Sequence, residues 1–262
     1  MGPGSGANGE RTRRLTPHDF IPPFLKRRAA LYVDGFNLHH SILELRRPEL
    51  LWLDLPRLGK AIIAPGERLA TTVWVSAHRP QRRNRMQALF AYEQALRARG
   101  VRCLMGHFVV HTDRCFECGH TWADSVEKQS DVNLALAVAA DAAADRFDVA
   151  YVVTTDGDHA ATARYLKESH PDKRLIGVAP PGRRHNRQIV EWCDRLVEID
   201  EAQVAQAVLP ERLRRGQAWI ERPDAWAPPL GHEATDDAPP PGPPPPMPRR
   251  GHLRLVVSNP QP

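Results

Sequence analysis

At 262 residues, the chain is long enough for one large α/β domain or two small ones, and no apolar run reaches the length that spans a bilayer. Four cysteines, two of them in a Cys-x-x-Cys, suit a reducing cytoplasm better than a disulfide scaffold; no charged-then-apolar segment opens the sequence, so a cytoplasmic protein without membrane contact is expected. The net charge is +5 and only Lys26, Lys60, Lys128, Lys167 and Lys173 are lysines among 36 basic residues; arginine's planar fork suits phosphate oxygens, although a GC-rich genome leaves the same bias.

Residues 1–28, opening on the glycine-rich MGPGSGANGE, read as a disordered N-terminal arm. From there the chain alternates short β-type runs with amphipathic stretches. Strands are predicted over 30–33, 69–76, 101–110, 148–154, 174–179 and 195–199. Helices are predicted over 37–46, 56–63, 81–99, 128–145, 159–169 and 185–193. Such alternation means crossover connections and a mostly parallel sheet covered on both faces. Ligands of open sheets bind beyond the carboxyl ends of the strands. The domain is expected to span 29–208. Beyond it, 13 of the 25 prolines fall between Pro223 and Pro262, so 209–262 reads as a disordered Pro-rich tail that could tether a protein partner.

The strand ends carry the chemistry. ALYVDGFN stops an apolar run on Asp34, and VAYVVTTDGDHAAT ends another on Asp156 and Asp158. Asp131 shares a helix face with Leu134, Ala135 and Val138, at the head of an apolar stripe. Each has an ordinary explanation alone. Asp34 could start a turn with Gly35 supplying an unusual backbone angle, Asp156 and Asp158 could be helix N-caps, and Asp131 a first-turn acid favoured by the helix dipole. Together at one sheet edge, they cannot all ionise without a cation, and hard Mg²⁺ or Mn²⁺ prefers such oxygens.

LYVDGFNLHHSI, EKQSDVNLALAVAADAAADRFDVAYVVTTDGDHAATARYL and KRLIGVAPPGRRHNRQIVEWCDRLVEID resemble the NYN domain, a branch of the PIN-like nuclease superfamily, over about residues 29–200. The resemblance implies a PIN-like three-layer α/β/α sandwich with a mostly parallel sheet, an acidic Mg²⁺/Mn²⁺ site, and metal-dependent ribonuclease activity with RNA as the partner. By motif, Asp34, Asp131, Asp156 and Asp158 would be the acidic set. Asn37 would position the first aspartate or contact the substrate, and Glu127 would be a supporting or fifth acid. Two positions depart from the family pattern: Gly157 stands where serine is usual, and His159 where an aromatic is common. His159 is expected as an exposed first-turn side chain.

Between the third strand and the Glu-Lys helix, an insertion at 111–122 carries Cys115-x-x-Cys118-Gly119. Such a turn presents two thiolates to one metal, and His107 is the best third ligand for a structural zinc; two reduced cysteines, or a redox pair, are the alternatives. The arginines of HRPQRRNR, with Arg82 and Arg83, and of PGRRHNRQ, with Arg183 and Arg184, sit after strands and could hold an RNA backbone. The rival from another class is a catalytically silent RNA-binding or scaffold protein with the same fold. A haloacid-dehalogenase-type phosphatase would need an aspartate where Phe36 stands, and a dinucleotide-binding fold a glycine loop after the first strand.

Overall fold

The run RRAALYVD is buried from its third residue onward, which a strand achieves only when both faces of its sheet are covered. It forms β1 (Arg27–Asp34) at the middle of a seven-stranded sheet in a computed structural model that describes residues 26–78 and 83–228. The other strands are β2 (Glu67–His78), β3 (Arg102–Arg114), β4 (Thr121–Lys128), β5 (Val149–Val153), β6 (Arg174–Ala179) and β7 (Arg195–Glu198). Their order is β4-β3-β2-β1-β5-β6-β7. All neighbours are parallel except β3 and β4, an antiparallel hairpin at one edge.

Alternation along β1 sorts the layers. Leu31 and Val33 join one apolar cluster with α1 (Gly35–Glu44), α2 (Leu55–Ile62) and α3 (Arg83–Ala98), through Leu38, Leu58 and Tyr92. Ala30 and Tyr32 join the other, with α4 (Ser130–Ala143), α5 (Ala160–Ser169) and the short α6 (Arg187–Val190), through Leu134, Leu166 and Ile189. The result is the three-layer α/β/α sandwich expected from the sequence. Asp34 has the parity of Ala30 and Tyr32, so its strand aims it toward the α4/α5 layer.

Two expectations need correction. The helix predicted from 128 begins only at Ser130, because Glu127 and Lys128 belong to β4, which pairs with β3 from His107↔Lys128 to Arg114↔Thr121. The stretch 209–228, assigned to the tail, is folded. After α7 (Glu201–Gln206) come a hairpin of β8 (Arg212–Arg215) and β9 (Ala218–Glu221) and a 3₁₀ turn, Asp224–Trp226. Trp226 is buried against the rings of Tyr92 and Trp52. Those rings belong to the main core, so the domain needs this strap; proline counting hid it because Pro223 and Pro228 flank an ordinary apolar anchor. The remaining tail, the N-terminal arm up to residue 25 and the segment 79–82 lie outside the described residues. Among those described, no helix is long and apolar enough to cross a membrane.

Trp226→Ala should therefore lower the unfolding free energy by about 3 kcal/mol, as for other large-to-small core changes. Urea unfolding followed by tryptophan fluorescence measures it, and an unchanged midpoint would return 209–228 to the status of a loose tail.

Candidate metal centre

The sheet's strand order reverses at β1. The chain builds outward from β1 through β2 and β3, then returns to lay β5 on its other side. Val33 pairs with Val153, so the two strands end level and their outgoing loops separate at that point. This is the crevice in which α/β sheets bind ligands.

Asp34 occupies it. Its Oδ1 accepts from the Asn37 amide at 3.0 Å and caps α1, while Oδ2 accepts from the Thr154 hydroxyl at 3.0 Å. The turn-or-site alternative thus resolves into both roles: the carboxylate caps a helix and faces the crevice. Asn37 ties the two loops together, its Oδ1 accepting from both the backbone amide and the hydroxyl of Thr155 at 3.1 Å. Its contact to Asp34 is through the backbone amide, while its side chain holds the Thr155 loop. Gly35 is required for a different reason from the one expected. Its φ is not positive; a Cβ there would lie 2.5 Å from the Val75 carbonyl and 2.6 Å from Trp74 Nε1.

Beyond β5, Thr154 Oγ1 accepts from the Asp156 amide, and Asp156 Oδ1 accepts from the Asp158 amide at 3.1 Å. Asp156 so caps the 3₁₀ turn Gly157–His159 that delivers the chain to α5. The third approach is from α4. Gln129 adopts φ 81°, a left-handed conformation rare for a side-chain-bearing residue, and turns β4 into α4 within one residue. Glu127 Oε1 accepts from the Ser130 amide and hydroxyl at 3.0 and 2.6 Å. Glu127 therefore holds the helix start, and Asp131 sits in the first turn facing the crevice.

The structure brings all four aspartates together. Ligand atoms of Asp131, Asp156 and Asp158 lie within 4.8 Å of one another, as do those of Asp34, Asp131 and His159, so Asp131 is common to both groups. Among the described residues these are the only sets of three or more His, Cys, Asp or Glu side chains close enough to share an ion. Burial raises the pKa of Asp34 above its ordinary value, and the Asp156 charge adds to this against the Asn37 amide, His159 and Thr154. Burial also raises Asp131, helped by Asp34, Asp156 and Glu127 and opposed by His159.

A second carboxylate on the same side of the sheet shows what the site lacks. Asp141, fully buried in α4, accepts from Tyr32 Oη, from Arg102 through both oxygens, and from Arg146. The protein neutralises that charge with two guanidinium groups. Among the described residues no lysine or arginine pairs with Asp34, Asp131, Asp156 or Asp158; the one ion-pair contact is His159 Nε2 to Asp131 Oδ1 at 3.4 Å. A crowded acidic set without a built-in cation has the donor chemistry for a hard divalent ion.

His159 is the site residue that sequence reasoning placed wrongly. It is 3% exposed rather than solvent-facing, because the 3₁₀ turn rotates it inward beside Asp131. The available signal was the aromatic common at that position: a slot that takes a ring is a buried slot. Thr154 went unnoticed because a threonine at the end of a β-branched strand has no motif of its own.

The remaining candidates divide. Arg183 lines the groove beside the aspartates and pairs with Glu44 at 2.6 Å; Arg184 is exposed outside the groove lining. Arg82 lies outside the described residues, and Arg83 is described only as the first residue of α3. The zinc set fails as predicted. Cys115 and Cys118 are at the tip of the β3–β4 hairpin, where the Cys118 and Glu117 amides lower the Cys115 thiol pKa as a knuckle turn should. His107 is at the hairpin's base, bonded to Gln129, eight residues along an extended strand or roughly 25 Å away. Cys103, on the same strand, is buried in the core with its pKa pushed up to about 12 by burial. All four cysteines are free.

The raised Asp34 pKa fixes the sign of a stability effect. Stability present below the ordinary carboxylate range is lost as pH rises through the raised folded-state value, so at pH 7 the ionised Asp34 weakens the metal-free fold. Asp34→Asn, which keeps the cap, should raise the melting midpoint in chelator by about 2–4 °C, the response of such a domain to ~1 kcal/mol. If Mn²⁺ binds at this centre, it should stabilise the native chain by about 2.7 kcal/mol at 100 times Kd, and Asp34→Asn should reduce that gain. Differential scanning fluorimetry with and without Mn²⁺ reads both effects.

Comparison with known proteins gives the family. The chain is 26% identical to the 6-hydroxy-3-succinoylpyridine 3-monooxygenase HspA of Pseudomonas putida (strain DSM 28022 / S16), with 81% of this chain and 80% of that protein covered. The crystal structure of a protein of unknown function from Vibrio parahaemolyticus RIMD 2210633 covers 68% of this chain and 95% of its own at 16% identity and a TM-score of 0.45, too distant to carry an argument. The NYN domain model matches residues 28–200, about two-thirds of the sequence and all but the first residue of the seven-stranded sheet. The chain belongs to the NYN domain family.

Proposed function

We propose that this protein is a divalent-metal-dependent ribonuclease of the cytoplasm, hydrolysing RNA phosphodiester bonds at the crevice between β1 and β5. The observation that carries this reading is the convergence of Asp34, Asp131, Asp156 and Asp158 in two overlapping groups without a neutralising arginine or lysine among the described residues. Mg²⁺ or Mn²⁺ bound there would supply the Lewis acidity and positive charge that phosphodiester hydrolysis needs. Asp34, fixed by the Asn37 amide and the Thr154 hydroxyl, holds its oxygens still before anything binds, and the Glu127–Ser130 bonds fix the start of α4 that carries Asp131. Such preorganisation is what makes a charged site effective.

A groove of about 1030 Å³ runs from these aspartates past Phe36, Phe108, Leu89 and Trp226, with Arg183 on its rim. Its two sides suit an RNA strand: aromatic surface for bases and a guanidinium for the backbone. Arg183 would have to exchange Glu44 for a phosphate, which bidentate geometry favours. Arg184 is proposed to extend the basic rim, and a structural zinc at Cys115 and Cys118 remains a proposal, since among the described residues no third His, Cys, Asp or Glu lies close enough to share an ion with them.

A second reading has one observation behind it, the likeness to a monooxygenase acting on a small pyridine compound. The groove's apolar wall could receive such a ring. Oxygenation would need O₂ and a reductant, and it would consume oxygen in the presence of 6-hydroxy-3-succinoylpyridine and a reduced nicotinamide.

Incubation of the full chain with pooled RNA should give Mn²⁺- or Mg²⁺-dependent cleavage. Asp34→Asn and Asp156→Asn should each lower kcat by about 100-fold or more, as expected when several kcal/mol of charge stabilisation is lost. RNA binding without turnover in any divalent ion would favour the silent scaffold, and substrate-dependent oxygen uptake the monooxygenase.

A further inference from the structure

The imidazole of His159 lines a small apolar pocket with Val138, Val152, Ala163 and Leu166, so its carbon faces are accounted for by packing. Its Nε2 is not. That atom is enclosed, has no hydrogen-bond partner, and lies 3.4 Å from Asp131 Oδ1. A charge-assisted N–H···O bond would close to about 2.7–2.9 Å, and an unpartnered buried nitrogen is costly. The spacing does fit two ligands of one ion, which sit about 3–4 Å apart when each bond is about 2.1 Å. One oxygen of Asp34 completes the group, all three ligand atoms lying within 4.8 Å of one another.

We propose that His159 Nε2, with Asp34 and Asp131, ligates one divalent ion, and that this nitrogen makes the position selective for a first-row transition metal over Mg²⁺. Imidazole suits transition ions, whereas Mg²⁺ keeps to oxygen donors. The neighbouring group of Asp131, Asp156 and Asp158 offers oxygen alone, so it carries no such preference. The two positions would then differ in metal, with Asp131 bridging them. A ring that fills the pocket as a phenyl would, but brings a donor nitrogen to its inner edge, changes the metal chemistry without changing the packing. The proposal rests on the metal-dependent reading above and is tested apart from it.

The full chain, stripped of metal and titrated with Mn²⁺ alone, should show ¹⁴N modulation from a histidine in electron spin-echo spectra. His159→Phe, which keeps a ring in the pocket, should lose that modulation. Its Mn²⁺ affinity by calorimetry should fall about 10-fold or more, at least the loss typical of a disturbed ligand's support, while Mg²⁺ affinity changes less than about threefold. His159→Gln provides a second variant should the phenyl disturb folding; it should also lose the nitrogen signal while keeping an oxygen donor. Mn²⁺ binding that requires Asp34 but shows no nitrogen, or an unchanged Mn²⁺/Mg²⁺ ratio in both variants, would overturn this proposal and leave the acidic site standing. Mn²⁺ binding indifferent to Asp34→Asn would also overturn this proposal, and Mn²⁺ binding indifferent to both Asp34→Asn and Asp156→Asn would overturn the metal-dependent reading as well.

Discussion

A carboxylate held almost out of water at the point where the strand order reverses governs the rest of this site. Asp34 ends the central strand, and the pairing of β1 with β5 leaves its side chain between two diverging loops. Each oxygen takes one neutral donor, the Asn37 amide and the Thr154 hydroxyl. Hydrogen bonds lower the cost of burying the charge but do not cancel it, and Asp131 and Asp156 add repulsion. The fold tolerates this arrangement because the surrounding layers are well packed. Tyr32 and Val33 just before Asp34 are fully buried on opposite faces. The strand end cannot relax outward without uncovering both.

Asp141 gives the comparison its meaning. Both acids face the space between the sheet and the α4/α5 layer, and both are buried, yet Asp141 is matched by Arg102, Arg146 and Tyr32 while Asp34 meets only neutral donors and a histidine. A protein that needed only to pin α4 to the sheet does so at Asp141. The crevice retains its unmatched charge. One strained residue stands beside the crevice: Gln129 takes a positive φ where β4 meets α4, and Glu127 holds the helix start there through two hydrogen bonds from Ser130. Unfavourable local geometry of this sort survives where it positions a functional group.

The periphery follows a different logic. The β3–β4 hairpin carries its cysteine turn far from the crevice, and its outer residues are mostly exposed. Beyond the β8–β9 hairpin, Trp226 closes over Tyr92 and Trp52 and supplies part of the groove's apolar wall. One element extends away from the site, and the other completes its boundary.

The sequence by itself determined the layer architecture, because apolar runs bounded by glycine and polar residues alternate with helical periodicity over most of the domain. It also pointed to the four aspartates, since strand ends and a helix head in an α/β sheet are where chemistry collects, and the family motif pointed to Asn37. Only the tertiary structure decided the rest. β4 was unreadable because TWADSVEK gains its strand character from pairing with β3, not from its own alternation. The zinc set failed because two residues on one strand face can be a whole hairpin apart. His159 was misjudged because exposure is a property of what packs above a residue, and the covering atoms come from α4 and β5. Local pattern specifies which groups a segment can present; the long-range pairing of β1 with β5 specifies which of them meet.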